Sequence, residues 1–281
     1  MGPTDLQSFR SLTPDDMTDC LALSTEASWN QTPDDWALFL RHGRVLGHLD
    51  DRGRAVASGA VLPYPNGFAW ISMVLVTASR RREKIGTRIL EACRAEVIRQ
   101  GLLPVLDATP AGEQVYRPLG FETMFRISRW QGNASGRGSL PGGIRAMTVS
   151  DIPAVTAIDA CAFGASRRFL IASFFDRAPP LAFVTEDLSG FVVARPGRTA
   201  TQIGPLVATD EATALALLGA ALGAASGPVF LDLVDRWENM TRTLRQRGFT
   251  VQRPFTRMAL NRATPLGDPT RLFVVAGPEF G

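Results

Sequence analysis

The feature that most constrains this chain is repetition, because one order of elements appears in it twice. Around Phe9–Leu12 a short extended segment leads into Thr13-Pro14-Asp15-Asp16, a capping residue followed by proline at the first helical position. Ile144–Thr148 leads in the same way into Val149-Ser150-Asp151-Ile152-Pro153. A second amphipathic segment follows in each half, Pro33–Arg41 and Arg167–Phe175. Extended apolar stretches come next: Arg54–Leu62 and Ala69–Val76, then Leu181–Thr185, Phe191–Ala194 and Thr201–Val207. Each half then offers a helix (Ile85–Gln100; Glu211–Ala225) and a strand (Pro104–Ala108; Pro228–Val234). Both end in glycine and phenylalanine, Leu119-Gly120-Phe121 and Arg247-Gly248-Phe249, a domain's length apart. Two diverged copies of one α/β unit explain this order. Between them Gly132–Gly143 reads GNASGRGSLPGG, which predicts a flexible linker. The expected division is therefore residues 1–131, linker 132–143, and residues 144–281.

Composition removes several classes. Of 281 residues 45% are hydrophobic and 20% charged, a balance that excludes wholesale disorder. No apolar run approaches the roughly 18 residues that span a bilayer, and MGPTDLQSFRSL does not read as a signal peptide. Cys20, Cys93 and Cys161 form no CxxC, so the default is a reducing, cytoplasmic setting without structural zinc. The net charge of +3 is carried by scattered arginines and makes no nucleic-acid stripe. Lys84 is the only lysine, which draws attention to its surroundings.

Those surroundings are Ser72–Leu90, SMVLVTASRRREKIGTRIL. Met73–Val76 reads as a buried strand, and Ile85, Ile89, Leu90, Cys93 and Val97 fall on one face of a helix. A tight turn from strand to helix leaves backbone N–H groups without intrahelical partners. With the positive end of the helix dipole they form an anion site suited to a pyrophosphate. Gly86 allows close backbone approach, while Arg81, Arg82 and Lys84 surround it with charge. The same sequence also fits an ordinary solvated connection.

Val74-Leu75-Val76 followed by Arg81-x-x-Lys84-x-Gly86-Thr87 resembles the acyl-CoA signature of the GNAT (Gcn5-related) N-acetyltransferase superfamily. In that signature Gln/Arg-x-x-Gly-x-Gly/Ala follows the fourth strand; here Lys84 stands where the first glycine is usual. Leu106-Asp107-Ala108-Thr109-Pro110, then Val115-Tyr116-Arg117-Pro118-Leu119-Gly120-Phe121, is similar to the family's fifth strand, helix and tyrosine-bearing ending. The resemblance implies an α/β (α+β) fold of two tandem GNAT-like domains, each a mixed, mostly antiparallel twisted sheet flanked by helices. It implies acetyl-CoA contacts from Met73, Val74, Leu75, Val76, Arg81, Arg82, Glu83, Lys84, Ile85, Gly86, Thr87 and Thr109. It also implies Tyr116 as the acid that protonates the leaving CoA thiolate. A core aromatic is the other reading of Tyr116.

The second half resembles a degenerate copy of YitH type. Ala208-Thr209-Asp210-Glu211 replaces the loop signature, and Leu244 stands at the position of Tyr116. For the acceptor, Trp29 and Asn30 suit a ligand edge, or Trp29 and Trp36 staple two helices to the sheet. Asp107 at a strand end holds an amine, or caps the next helix. His42 and His48 lack ligand spacing, and Gly-x-Ser-x-Gly, Walker and GxGxxG motifs are missing. The expected activity is acetyl transfer from acetyl-CoA to a small-molecule amine by direct attack, without metal. A non-catalytic acyl-CoA sensor is the alternative, and neither acceptor nor oligomeric state is legible.

Overall fold

The computed structural model describes residues 9–136 and 138–281. Part of the signal-peptide reading and position 137 of the expected linker lie outside them. The chain forms two compact units. One runs to Leu106 and takes in Phe280; the other runs from Asp107 to Glu279 and takes in Gly281.

The first unit contains β1 (Arg10–Ser11), α1 (Met17–Glu26), α2 (Pro33–His42), β2 (Arg44–Leu49), β3 (Ala55–Tyr64), β4 (Phe68–Val76) and α3 (Ile85–Arg99). Strand β5 (Leu103–Ala108) begins in it and ends in the second unit. Strands β1 to β5 are ordered as numbered. The pairs are antiparallel up to β4, and β4 runs parallel to β5 across the α3 crossover. Helix α2 starts where Thr32 and Asp35 make a reciprocal capping box before Pro33. Helix α3 buries Ile85, Ile89, Leu90, Cys93 and Val97, the face its periodicity predicts. A Cβ at Gly59 of β3 would stand 2.8 Å from Cys93 Sγ, so glycine is what lets the helix lie this close. Elsewhere Trp36 Nε1 donates to Ser24 Oγ at 3.1 Å. Tyr64 donates to the Phe280 carbonyl at 2.8 Å, and the Phe280 ring stacks on Phe39.

The second unit adds α4 (Pro110–Tyr116), β6 (Phe121–Ser135), β7 (Ile144–Ala146), α5 (Ile152–Phe163), α6 (Arg168–Arg177), β8 (Phe183–Thr185) and β9 (Phe191–Arg195). It continues with β10 (Thr201–Val207), α7 (Glu211–Ala224), β11 (Ser226–Val234), α8 (Glu238–Gln246), β12 (Thr250–Leu260) and β13 (Leu272–Val274). Its strands are ordered β12-β6-β11-β13-β10-β9-β8-β7, antiparallel except for the β10–β11 pairing. Helix α7 buries Ala214, Leu217, Leu218 and Ala221 in one apolar cluster with Ile203, Val229 and Leu231.

One sequence expectation is corrected here. Gly132–Ser135, read as the start of a linker, are the last residues of β6 and pair with Ser226–Val229 of β11. Gly132 serves packing, because a Cβ there would meet the Phe249 ring at 2.6 Å. Gly138 likewise lies against Gly223, its N–H donating to that carbonyl at 3.2 Å. Among the described residues no helix is long and apolar enough to cross a membrane.

Candidate active site

In the first unit most of the candidate cofactor-binding residues lie at the end of β4 and the start of α3. The ladder of β4 with β5 runs only from Phe68↔Leu103 to Trp70↔Val105, whereas its ladder with β3 continues to Val76. Within this unit, Ile71–Val76 are therefore paired on the β3 side alone. Such a strand edge offers its N–H and C=O groups to an extended polar ligand. The register shifts between Ser58 and Ala60, and Met73 takes φ 51°, so the strand bulges at its open stretch. Ser58 Oγ donates to the Met73 carbonyl at 2.8 Å and holds the bulge.

The turn that follows is tied down from α1. Glu26 accepts from Thr77 Oγ1 at 2.7 Å and from the Ala78 N–H at 2.8 Å. The Thr77 hydroxyl and then the Ala78 N–H hold its carboxyl below the usual carboxylate range. Arg81 Nε donates to the Val76 carbonyl at 3.2 Å, while Arg80 pairs with Glu83 at 2.9 Å. Arg82 and Lys84 take φ 69° and 60°, in the left-handed region. Lys84 thus occupies the backbone state for which the signature's glycine is suited, and a side chain there costs about 1 kcal/mol.

Lys84 is the N-cap of α3 and supplies no side-chain cap, and the first turn holds no acid. The first helical bond runs from the Arg88 N–H to the Lys84 carbonyl at 3.1 Å. The N–H groups of Ile85, Gly86 and Thr87 therefore face outward at the positive end of a fifteen-residue helix. A Cβ on Gly86 would touch only Val76 Cγ2, at 3.4 Å, so packing alone does not require glycine there. The donor set fits a pyrophosphate: three amides, two exposed arginines and one exposed ammonium.

The second unit closes the equivalent helix end with its own charge. Asp210 caps α7, accepting from the Thr213 N–H at 2.8 Å and Oγ1 at 3.0 Å. Glu211 follows in the first turn and accepts from the Met240 N–H at 3.0 Å. Leu244, in the place of a tyrosine, is fully buried in α8.

Tyr116 ends α4 in the second unit, half-buried, with its ring over Gly112. Glu113 anchors that helix by accepting from Thr256 Oγ1 at 2.8 Å and by pairing with Arg117. Thr109 is the helix cap, accepting from the Gly112 N–H at 3.2 Å. Asp107 has a fully buried side chain whose two oxygens accept from Arg257 Nε and Nη2 at 2.9 and 2.8 Å. Holding an amine would require breaking that bidentate pair.

In the first unit Trp29 is half-buried, while Asn30 and Gln31 are buried. The buried Gln31 Oε1 has no hydrogen-bond partner among the described residues. Sequence reasoning missed Glu26 and Ser58, since each acts on a segment remote in the chain and no local motif marks it. Burial pushes the thiols of Cys20 and Cys93 up to about 12, so neither is a ready nucleophile. Among the described residues no group of three or more His, Cys, Asp or Glu is placed to hold a metal ion.

Comparison with known proteins adds the following. A model of the acetyltransferase (GNAT) family matches residues 7–121, and one of an acetyltransferase (GNAT) domain matches residues 155–274. Holothin acyltransferase of Pseudoalteromonas sp. (strain SANK 73390) is 25% identical over 244 residues, covering 85% of this chain and 81% of that protein. A candidate acetyltransferase from Pyrococcus horikoshii superposes with a TM-score of 0.81 at 20% identity, over 97% of this chain and 95% of that one. A tandem GNAT protein from the clavulanic acid biosynthesis pathway gives 0.64 at 15% identity, over 89% and 97%.

Proposed function

Because this chain belongs to the GNAT acetyltransferase family, with two GNAT domains in tandem, we propose that it moves an acetyl group from acetyl-CoA to the primary amine of a small molecule. The observation that carries the reading is the open helix end at Lys84–Thr87 beside the bulged edge of β4. In this reading Ile85, Gly86 and Thr87 bind the pyrophosphate through their N–H groups, and Arg81, Arg82 and Lys84 neutralise it. The Val74–Val76 backbone pairs with the pantetheine arm and orients the thioester carbonyl toward an N–H donor. The neutral amine attacks that carbonyl directly; as the C–S bond breaks, Tyr116 gives its phenolic proton to the departing thiolate, and the surplus proton on the new amide nitrogen passes to water. An acyl-enzyme through Cys20 or Cys93 is disfavoured by burial, which keeps both as thiols.

The relative that acylates holothin supports acyl transfer to a small molecule. The exposed free Cys161 suits a reducing cytoplasm, where acetyl-CoA is made. In the same reading the second domain, of YitH type, binds no CoA, since Asp210 and Glu211 occupy the end of α7. The test is a CoA-release screen with acetyl-CoA over polyamines, amino acids, aminoglycosides and peptides. Release with one amine class supports the proposal. Tight acetyl-CoA binding without release for any amine contradicts it and favours a sensor.

A further inference from the structure

The second unit contains a row of buried ion pairs, and beside it stands a half-buried guanidinium, Arg253, with no carboxylate partner among the described residues. Arg129 gives Nε and Nη2 to the two oxygens of Asp232, both at 2.8 Å, and Gln202 Nε2 adds a bond to the same carboxylate at 2.9 Å. Arg195 pairs with Glu279 at 2.7 Å, and Arg257 pairs with Asp107 at 2.8 Å. Each of these three buried carboxylates has its own guanidinium.

Arg253 has none. It stands opposite Arg129 in the β6–β12 ladder, at the bulge after Val251. Like charges directly opposite across a ladder repel. Both guanidiniums lie against one ring, with Cζ of Arg129 at 5.5 Å and of Arg253 at 5.7 Å from the Phe255 centroid. The only hydrogen bond of Arg253 among the described residues is from Nε to its neighbour Gln252, at 3.3 Å, so neither Nη is engaged. Arg129 Nη1 is likewise unengaged, on a side chain only 5% exposed. Burial and the Arg129 charge hold the Arg253 guanidinium below its usual range. Two neighbouring guanidiniums with uncommitted N–H donors, on an aromatic floor and without a matching acid, are complementary to a planar anion with two oxygens.

We infer that Arg253 and Arg129 form a binding site for a carboxylate. Its source is either the carboxylate of the acceptor molecule or a separate small carboxylic acid. The inference stands on the second unit alone and does not require the proposed reaction.

The full chain is tested first by thermal melting with malonate, against dimethyl malonate and against chloride at equal ionic strength. Malonate alone should raise the melting temperature. Arg253→Gln should lose that rise, with malonate affinity falling about tenfold or more. Arg253→Lys should keep part of it, since charge remains while the planar fork is gone. An unchanged melting temperature without ligand verifies that the variants fold. Equal responses to malonate in wild type and Arg253→Gln, or equal responses to malonate and its diester, overturn the site.

CoA release with an amino acid and its methyl ester separates the sources. A KM that Arg253→Gln raises about tenfold for the acid, but not for the ester or for acetyl-CoA, assigns the carboxylate to the acceptor. Unchanged KM values with malonate binding lost assign it to a separate ligand. The malonate experiment needs no turnover, so a protein that transfers no acetyl group still tests the site.

Discussion

Gly86 and Lys84 would serve the proposed phosphate site in different ways, one through backbone access and one through charge. Gly86 has room for a Cβ on the protein side, with only Val76 Cγ2 at 3.4 Å. Gly86→Val should therefore fold, yet place a branched side chain against the phosphates. Acetyl-CoA affinity should fall more than tenfold, about 1.4 kcal/mol or more. Lys84→Ala removes one charge from a site whose amides remain, so the loss should be smaller. Calorimetric titration of both variants measures the order, and equal affinity to wild type in both would remove the site from this loop. Tyr116→Phe tests rate in place of binding. The ring over Gly112 is kept while the hydroxyl is lost, so turnover should drop about a hundredfold or more with acetyl-CoA affinity retained. Full turnover at neutral pH would return Tyr116 to a packing role.

At the scale of elements, α3 must stay fixed for its N-terminus to serve as a site, and Glu96 helps to fix it. Its carboxylate accepts from Arg99 of the same helix, from the C-cap residue Gln100 and from Arg44 of β2 at 2.9 Å. The Arg99 hydrogen bond, with Gln100 and the Arg44 charge, holds Glu96 down to about 2 from 4.5. A depressed acid stabilises the fold above its unfolded value and loses that contribution as pH falls through the folded one. Because Arg44 and Arg99 are solvated, the contribution is about 1–2 kcal/mol. Wild type should out-melt Glu96→Gln near neutral pH, and the gap should close as pH drops from 4.5 toward 2. A gap that does not change with pH would assign the effect to packing.

Elements differ in how well the chain announces them. Helix α3 and strand β10 were legible, since five spaced apolar residues define the helix face and an apolar run between turn residues defines the strand. The end of β6 was not, because Gly132 carries the signature of flexibility but is there to make room for the Phe249 ring. The fate of Asp107 was equally hidden: its partner Arg257 lies in β12, far along the chain, and local pattern says nothing of such pairs. The strand, turn and helix start at Met73–Thr87 were readable because they are contiguous in the chain.

At the scale of the whole molecule, two copies of one fold have diverged at the same structural position. In the first domain the helix after the fourth strand begins with an uncapped, cationic turn. In the second the corresponding helix is capped by Asp210 and followed by Glu211. The dipole is positive at both of these helix starts, but at α7 the Asp210 and Glu211 carboxylates already sit there, and their charge repels an incoming anion. The Arg129–Arg253 cluster shows that the second compact unit, though its α7 end is closed, keeps uncommitted cationic donors elsewhere. The central claim is that one domain holds the cosubstrate, and calorimetric titration of the full chain with acetyl-CoA tests it most directly. The account predicts one site per chain, lost or strongly weakened in Gly86→Val. Two equivalent sites per chain, or one that Gly86→Val leaves intact, would contradict it.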